Sequence, residues 1–286
     1  MLQGPFGAPF FKYKGLHCAC AALCDGYDMN ICTIASGSSG NCAVVTSGGA
    51  AMLVDAGVSC RRITCGLKQL NLTLADLSAI WITHSHIDHI RALKVISVRQ
   101  PRPIYATYDT ARALAAQIPE AAAHLVCFEP GEKLCVGPFT VCAYPTPHDV
   151  SGSVCYRVEA DGHALAIATD IGCVSRSVYA AAAGADTVVV ESNHDVDMLK
   201  NGPYPPALKA RILSANGHLA NPDCGNFCAA LAQEGTRRFI LAHLSRENNT
   251  PAAAYDTVRR ALRESGADGC ELAVAPPDAL CGPWEV

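Results

Sequence analysis

Thr83-His84-Ser85-His86-Ile87-Asp88-His89 is the stretch from which the fold of this chain can be worked out. It places three imidazoles and a carboxylate within a few residues, directly after the apolar run 77–82. A strand that ends in a tight turn would direct these side chains into one small volume, and imidazole and carboxylate suit zinc and similar divalent ions. The alternative is a solvated loop that happens to be rich in histidine. Because the whole chain has only 10 histidines, the clustering favours a metal site.

Composition indicates a globular protein. The chain has 286 residues, of which 50% are hydrophobic and 17% are charged, so it can bury a large core. A net charge of −4 argues against a surface that holds nucleic acid by diffuse electrostatics, although a local grip by metals and a few arginines remains open. The oligomeric state stays open.

The cysteines and the absence of certain segments bear on location. The 16 cysteines are scattered singly through apparent strands and helices, where they are typical of small buried hydrophobes. No signal peptide is evident, and no apolar run approaches the length that spans a membrane. We therefore expect a cytoplasmic protein with reduced thiols and no membrane partner.

Residues 1–28 differ from the remainder of the chain. Glycine, proline and aromatic residues come first, followed by Cys18, Cys20 and Cys24. These cysteines could form a metal or redox clip, but they have no partner set at zinc-site spacing. We expect a poorly ordered N-terminal extension over 1–28, or a true start at Met29, and a single domain over 29–286.

From residue 30 onward, predicted strands and helices alternate without a linker, which indicates one α/β domain with two β-rich halves. The predicted strands are 31–35, 42–46, 51–54, 77–82, 103–107, 125–128, 133–136, 139–143, 153–158, 164–168, 187–190, 238–241 and 271–275. The predicted helices are 60–70, 90–98, 109–117, 175–183, 222–233 and 251–263. Asp109 or Thr110 is expected to cap the third of these helices.

Six of the apolar strands end on, or lead directly to, a histidine or an acid. In layered α/β folds, active sites collect beyond strand ends, where rigid elements present side chains to a shared cleft. The six residues are Asp55, His84, His148, Asp170, Glu191 and His243. With the remaining residues of the histidine stretch they exceed what one tetrahedral ion needs, and they suit two ions that share a carboxylate. Two such ions could hold a hydroxide between them and clamp both oxygens of a displacement at phosphorus, which predicts a hydrolase.

The same residues resemble the motifs of the metallo-β-lactamase superfamily, from about Met29 to the C-terminus. Within it, the chain is similar to the bacterial WalJ/YycJ-type subfamily. The segments that carry this closer resemblance are 35–41, Glu191-Ser192-Asn193-His194-Asp195, Gly217-His218-Leu219 and 242–249. The resemblance implies an αββα four-layer sandwich, which agrees with the two β-rich halves.

The resemblance also implies a ligand set and a cofactor, namely two divalent metal ions, Zn or Mn. His84, His86 and His148 would hold one ion, and Asp88, His89 and His243 the other, with Asp170 bridging them. Asp55 would orient a ligand by a hydrogen bond. Asp88 would also accept a proton from the attacking water.

Two further residues have counterparts in the related tRNase Z enzymes. Glu191 and His218 stand where those relatives carry a glutamate and a histidine, so His218, oriented by Glu191, would contact the scissile phosphate or protonate the leaving oxygen. The alternative is that Glu191 caps a strand and His218 is an ordinary loop residue.

Substrate contacts are expected from the polar loop 36–41 and from a residue after Glu191. The loop is rich in backbone amides and hydroxyls, so it could cradle a phosphate or be an ordinary hairpin connection. The predicted substrate-binding residues are Ser38, Ser39, Asn41 and Asn193. His194 and Asp195 are placed near the cleft without a role, and His17, His124 and His163 lie outside every motif.

The leading hypothesis is a two-metal phosphodiesterase, similar to the 5′-to-3′ exonucleases of the subfamily, which acts on DNA more than on RNA. A small-molecule hydrolase for a thioester, a lactone or a cyclic phosphodiester is the main alternative. A regulatory accessory protein of cell-wall signalling with a structural metal is the third. His86 stands where oxygen-reducing di-iron relatives carry a glutamate, which argues against redox chemistry.

Overall fold

Successive side chains of the central strands enter different cores, and this alternation fixes the layers of the fold. The computed structural model describes residues 11–12 and 28–286. In the strand Ala50–Val54, Met52 and Val54 pack in the core between two sheets, whereas Leu53 packs beneath helices. On the second sheet, Val189 faces the same central core and Val190 faces a helical layer. Helices therefore cover the outer face of each sheet, which confirms the predicted αββα sandwich.

The bounds of the elements in the described residues are as follows. The strands are β1 (Phe11–Lys12), β2 (Asn30–Ala35), β3 (Cys42–Ser47), β4 (Ala50–Val54), β5 (Leu77–Trp81), β6 (Ile104–Thr107), β7 (Leu125–Phe128), β8 (Lys133–Val136), β9 (Phe139–Pro145), β10 (Val154–Ala160), β11 (His163–Ala168), β12 (Thr187–Glu191), β13 (Arg238–Ala242), β14 (Glu271–Val274) and β15 (Cys281–Glu285). The α-helices are α1 (Cys60–Gln69), α2 (Ile87–Ile90), α3 (Leu93–Arg99), α4 (Tyr108–Gln117), α5 (Arg176–Ala182), α6 (Val196–Asn201), α7 (Pro206–Ile212), α8 (Asn221–Gln233) and α9 (Pro251–Glu264). Short 3₁₀ helices span Leu74–Asp76 and Pro119–His124.

The strand order brings the polar strand ends to one edge of the sandwich. The first sheet has the order β1-β7-β6-β5-β4-β3-β2-β15 and the second β14-β13-β12-β11-β10-β9-β8. Strands β4 and β5 are parallel, as are β11, β12 and β13, so within each group the carboxyl ends lie side by side. This placement positions the candidate site.

Trp81, the last residue of β5, ties the histidine stretch to both sheets. Its side chain is fully buried and stacks on Tyr105 of the neighbouring strand with ring centroids 4.2 Å apart. Tyr156 of the second sheet meets it edge-on at 5.7 Å and donates a hydrogen bond from its hydroxyl to the carbonyl of Ile82 at 2.6 Å. The turn that follows β5 therefore begins from a fixed position.

Two details of local structure differ from the predictions. The helix expected over 90–98 is present as α3 but begins at Leu93 and is separate from α2, because the Asp88 carbonyl accepts from the Asn41 amide and the Ala92 amide donates to the Ala56 carbonyl. These bonds to another segment replace the bonds that would continue the helix. The residue that caps α4 is Thr107, whose hydroxyl accepts from the Thr110 amide at 3.4 Å, and not Asp109 or Thr110.

Other elements lie outside the predicted set. Helices α6 and α7 and strand β15 were not predicted, and β15 contains Gly282 and Pro283, which interrupt the alternation that marks a strand. The predicted extension 1–28, with Cys18, Cys20, Cys24 and His17, lies outside the described residues apart from Asp28 and β1, which pairs with β7. Its boundary at residue 29 stays a prediction.

The structure also tests the expectations of buried, free cysteines and of no membrane-spanning helix. Cys32, Cys42, Cys142 and Cys155 are buried free thiols, as predicted, and Cys173 is partly buried. In the part of the chain that the structure describes, no helix is both long enough and apolar enough to cross a membrane. The cytoplasmic location stays a prediction.

Candidate metal centre

The histidine stretch forms a turn between β5 and the single-turn helix α2. Its backbone is held on both sides, because the Ile82 amide donates to Tyr105 and the Thr83 carbonyl accepts from Val154. The His84 and His89 rings are buried with centroids 4.0 Å apart, and His86 is half-buried at the opening. The turn therefore presents three imidazoles around one small space.

A first group of possible ligands consists of His84, His86 and His148. His86 Nδ1 lies 3.1 Å from His84 Nε2 and 3.4 Å from His148 Nε2. Burial lowers the pKa of both His84 and His148, which favours the neutral imidazole that binds metals. Their ligand atoms lie within 4.8 Å of one another, which is compact enough for one ion.

A second group consists of Asp88, His89 and His243. The Oδ2 atom of Asp88 lies 3.6 Å from His89 Nε2 and 3.8 Å from His243 Nε2. His243 follows β13 at the edge of the second sheet, so this group joins the two halves of the domain.

Asp170 lies between the two groups. Its Oδ2 atom is 3.1 Å from His89 Nε2, and its Oδ1 atom is 3.5 Å from His243 Nε2 and 4.0 Å from His148 Nε2. This position is the one expected of a carboxylate shared by two ions.

The unsatisfied atoms at the centre fit a metal. Among the described residues, Asp170 Oδ2 and His243 Nε2 are buried and make no hydrogen bond of acceptable geometry. Buried polar atoms are rarely left without a partner, because desolvation costs about 1–3 kcal/mol per group. Divalent cations coordinated by these atoms would remove that cost, and the donor set of imidazole and carboxylate matches such ions.

Carboxylates around the centre raise the pKa values of two of its histidines. Burial alone would lower the pKa of His243, but Asp170, Asp88 and Glu191 outweigh it and raise that pKa to about 10. Asp55 and Asp170 similarly raise the pKa of His89 well above its ordinary value despite burial. In the absence of a cation, protons on these two imidazoles balance the buried carboxylates.

Asp55 lies behind His89, one of the predicted ligands. Its Oδ2 atom accepts from His89 Nδ1 at 2.7 Å, which leaves Nε2 facing Asp170. The Thr83 amide and hydroxyl also donate to Asp55, at 2.9 Å each. Thr83 was missed as a functional residue, since a threonine at a strand end carries no sequence signal of its own.

One carboxylate oxygen of Glu191 contacts two histidines. Its Oε1 atom lies 2.8 Å from His218 Nδ1 and 2.8 Å from His243 Nδ1, while Oε2 accepts from the Ile171 amide at 2.7 Å. These interactions outweigh complete burial and lower the pKa of Glu191 to about 2. Glu191 therefore orients a predicted metal ligand as well as His218, and the contact with His243 was not foreseen.

The predicted substrate-binding residues fall into two classes. Ser38 and Ser39 are exposed on the loop 36–41, and Ser39 Oγ accepts from Arg246 at 3.0 Å. Asn41 is buried, accepts from the Gly37 amide and lies 3.1 Å from His89 Nε2. Asn193 is buried and donates to the His243 carbonyl at 2.9 Å. The contacts of both asparagines hold the centre in place, and their binding of substrate stays a prediction.

The other histidines and acids are placed as follows. Asp195 caps α6 by accepting from the amides of Asp197 and Met198. His194 is buried, and neither ring nitrogen makes a hydrogen bond to the described residues. His124 and His163 belong to none of the metal-binding groups found there.

Comparison with known proteins identifies the family. The β-lactamase superfamily domain matches residues 51–244. Exodeoxyribonuclease YycJ of Bacillus anthracis is 35% identical over 83% of this chain and 90% of its own length. The chain belongs to the WalJ/YycJ family of the metallo-β-lactamase superfamily. Exodeoxyribonuclease WalJ of Streptococcus pneumoniae (strain D39) is 34% identical over 81% of this chain and 87% of its own length.

A solved structure supports the metallo-β-lactamase fold independently. The metallo-β-lactamase fold protein YhfI from Bacillus subtilis superimposes with a TM-score of 0.65 at 20% identity. The superposition covers 91% of this chain and 100% of that protein. At this identity it shows the shared fold alone, which agrees with the two sheets and the outer helical layers.

Proposed function

We propose that this protein is a dinuclear metal-dependent hydrolase that cleaves phosphodiester bonds of DNA as a 5′-to-3′ exonuclease. The observation that carries the proposal is the meeting of the seven predicted ligands in two groups joined at Asp170, where buried atoms of Asp170 and His243 make no hydrogen bond of acceptable geometry to the described residues. A closed structural zinc site needs only four ligands, so the arrangement supports an active site over a structural one.

In the proposal, His84, His86 and His148 would hold one Zn or Mn ion and Asp88, His89 and His243 would hold the other, and Asp170 would be shared between them. When bound, two such ions lower the pKa of a water molecule and polarise a phosphoryl oxygen. Asp88, whose side chain is the most exposed of the second group, accepts the proton released by the attacking water.

His218 supplies a proton to the leaving oxygen. Burial lowers the pKa of this imidazole, but Glu191 outweighs burial and raises it, which favours the protonated ring. Because Nδ1 is held by Glu191, Nε2 is the atom from which the proton leaves. The His218 ring lies between those of His148 and His243, at 5.4 and 5.3 Å, beside both metal groups.

A nucleic-acid substrate is supported by the names of the relatives, both of which are exodeoxyribonucleases. DNA is preferred over RNA in the proposal for the same reason. The exposed hydroxyls of Ser38 and Ser39 and the nearby guanidinium of Arg246 offer donors to a phosphate at the rim. A net charge of −4 fits an enzyme that grips the strand end locally rather than along a basic groove.

The test is a cleavage assay with the Zn- or Mn-loaded protein on 5′-phosphorylated single-stranded DNA, duplex DNA and RNA. We expect mononucleotides to be released from the 5′ end of DNA, and we expect Asp88→Ala to lower the rate by at least about 100-fold. Bound metal is measured for both proteins so that loss of metal and loss of chemistry can be separated.

Hydrolysis of a thioester, a lactone or a cyclic phosphodiester, with no cleavage of any nucleic acid, would replace this proposal by a small-molecule hydrolase. One tightly held ion and no hydrolysis of any substrate would support a structural site instead.

A further inference from the structure

Helix α7 carries an arginine to the rim of the metal centre. Arg211 lies near the end of this helix, between Glu191 and His218 in the sequence. The end of α7 is fastened to the His218 loop, because the His218 amide donates to the Ile212 carbonyl at 3.0 Å. A Cβ atom at Gly217 would lie 2.3 Å from the Arg211 carbonyl, so the two segments approach as closely as backbone permits.

Asp149 connects Arg211 to the first group of histidines. Its Oδ1 atom lies 3.5 Å from His148 Nε2 and 3.6 Å from His86 Nε2. Its Oδ2 atom accepts from Arg211 Nε at 2.5 Å and also from Nη2. One carboxylate therefore separates the guanidinium from two predicted metal ligands.

The geometry leaves part of the guanidinium available. A guanidinium has five N–H donors, and Asp149 engages Nε and Nη2. Nη1 has no partner among the described residues, and 57% of the side chain is exposed. The Asp149 side chain is 26% exposed, so the pair is anchored on the centre side and open on the solvent side. A planar donor group that is already oriented loses little entropy when it binds a phosphate.

We propose that Arg211, oriented by Asp149, binds a backbone phosphate next to the scissile one and so makes the centre selective for a polynucleotide over a substrate with a single phosphate. This inference rests on the proposed nuclease function. It assigns Arg211 as a phosphate-binding residue and Asp149 as a positioning residue. An ion pair that only fastens α7 is the competing explanation, and it predicts no dependence on the neighbouring phosphate.

The test replaces one phosphate at a time by an uncharged methylphosphonate in a 5′-phosphorylated single strand. For the wild-type protein, we expect a methylphosphonate at one linkage beside the scissile bond to raise KM by about tenfold. This is the usual scale for the loss of a hydrogen bond to a charged group. For Arg211→Gln, KM on unmodified DNA should rise by a similar factor, and the same methylphosphonate should have little additional effect.

Two further measurements separate phosphate binding from a structural role. In Arg211→Gln, kcat/KM should fall about tenfold more on DNA than on bis(p-nitrophenyl) phosphate, which has one phosphate. The affinity of the metal-free protein for labelled single-stranded DNA is also measured at several salt concentrations. In Arg211→Gln, the slope of log K against log salt concentration should be smaller in magnitude by about 0.7, the value for one phosphate contact. Arg263→Gln is the matched control, since Arg263 is exposed and also pairs with an aspartate, Asp268, through Nε.

The outcomes are distinct. If the wild-type protein cleaves DNA but Arg211→Gln behaves as Arg263→Gln does, or loses activity equally on both substrates, the assignment of Arg211 is wrong and the nuclease proposal stands. If the wild-type protein cleaves no DNA, both proposals fall.

Discussion

At the scale of single residues, the contacts of Glu191 require a charged carboxylate. Both of its oxygens act as acceptors, one toward the two imidazoles of His218 and His243 and the other toward the Ile171 amide. A glutamine has only one carbonyl oxygen, so its NH₂ group must face a donor in either orientation. A neutral side chain also removes the charge that favours protonated His218.

We therefore expect Glu191→Gln to lower kcat by about 10–100-fold on DNA and to weaken metal binding, as is typical when a group behind a metal ligand is changed. Steady-state kinetics and metal analysis measure the two effects. Glu234→Gln is the matched control, because Glu234 is exposed and its Oε1 atom also accepts a hydrogen bond, from Tyr179. Wild-type kcat and metal content in Glu191→Gln would contradict the role given to this residue.

At the scale of elements, the centre depends on a close meeting of three backbone segments at Gly57. The Gly57 amide donates to the Asn41 carbonyl, and the Asn41 amide donates to the Asp88 carbonyl in α2. A Cβ atom at Gly57 would lie 1.5 Å from the Asp88 carbonyl oxygen. No side chain fits there, so this glycine is required by space.

We expect Gly57→Ala to reduce the free energy of unfolding by at least about 3 kcal/mol, because the Asp88 backbone has to move. The same movement displaces Asp88 and His89 and should reduce bound metal. Urea denaturation and metal analysis test this. Gly269→Ala is the control, since a Cβ atom there meets nothing within 4 Å. Equal stability of the two variants would show that the segments can separate without cost.

The strand ends also differ from ordinary strand ends in their backbone. Asp55, Asp170 and His243 have positive φ angles of 63°, 55° and 55°. Such angles are uncommon for residues other than glycine and cost about 1 kcal/mol or more each. All three residues are in the centre, so this backbone conformation aims their side chains inward.

At the scale of the whole molecule, the metals are expected to hold the two halves together. The centre draws on the turn after β5 in the first sheet and on the ends of β11 and β13 in the second. Removing the ions leaves buried carboxylates that protonated His89 and His243 help to balance. We expect chelation to lower Tm, and the gap between metal-loaded and metal-free protein to widen as pH rises from about 6 to 9.

The direction of this pH dependence follows from the pKa values of the buried groups. Those of His89 and His243 are raised in the folded metal-free protein, so their contribution to stability is complete below the ordinary histidine value of about 6.5 and is lost as pH rises through the folded value, about 10 for His243. Metal binding requires deprotonated imidazoles and strengthens over the same range. The pKa values of Asp170 and Glu191 are lowered, so their contributions do not change in this window. Thermal melts with and without chelator measure the gap, and a constant gap would contradict this account.

The sequence by itself determined the layered α/β class, most strand positions and the seven residues that the structure brings together in two groups. These follow from patterns among neighbours, because alternation marks a strand and a polar residue after an apolar run marks its end. The close spacing of His84, His86, Asp88 and His89 is also a local property.

Only the tertiary structure decided which residues stand behind the predicted ligands and which lie at the rim. The contact of Glu191 with His243, the contact of Asp149 with Arg211, and the break between α2 and α3 depend on bonds between residues that are more than 35 positions apart. Such contacts depend on how two sheets pack and on where positive φ angles turn the chain. No local pattern specifies either, because both arise from the free energy of the assembled core.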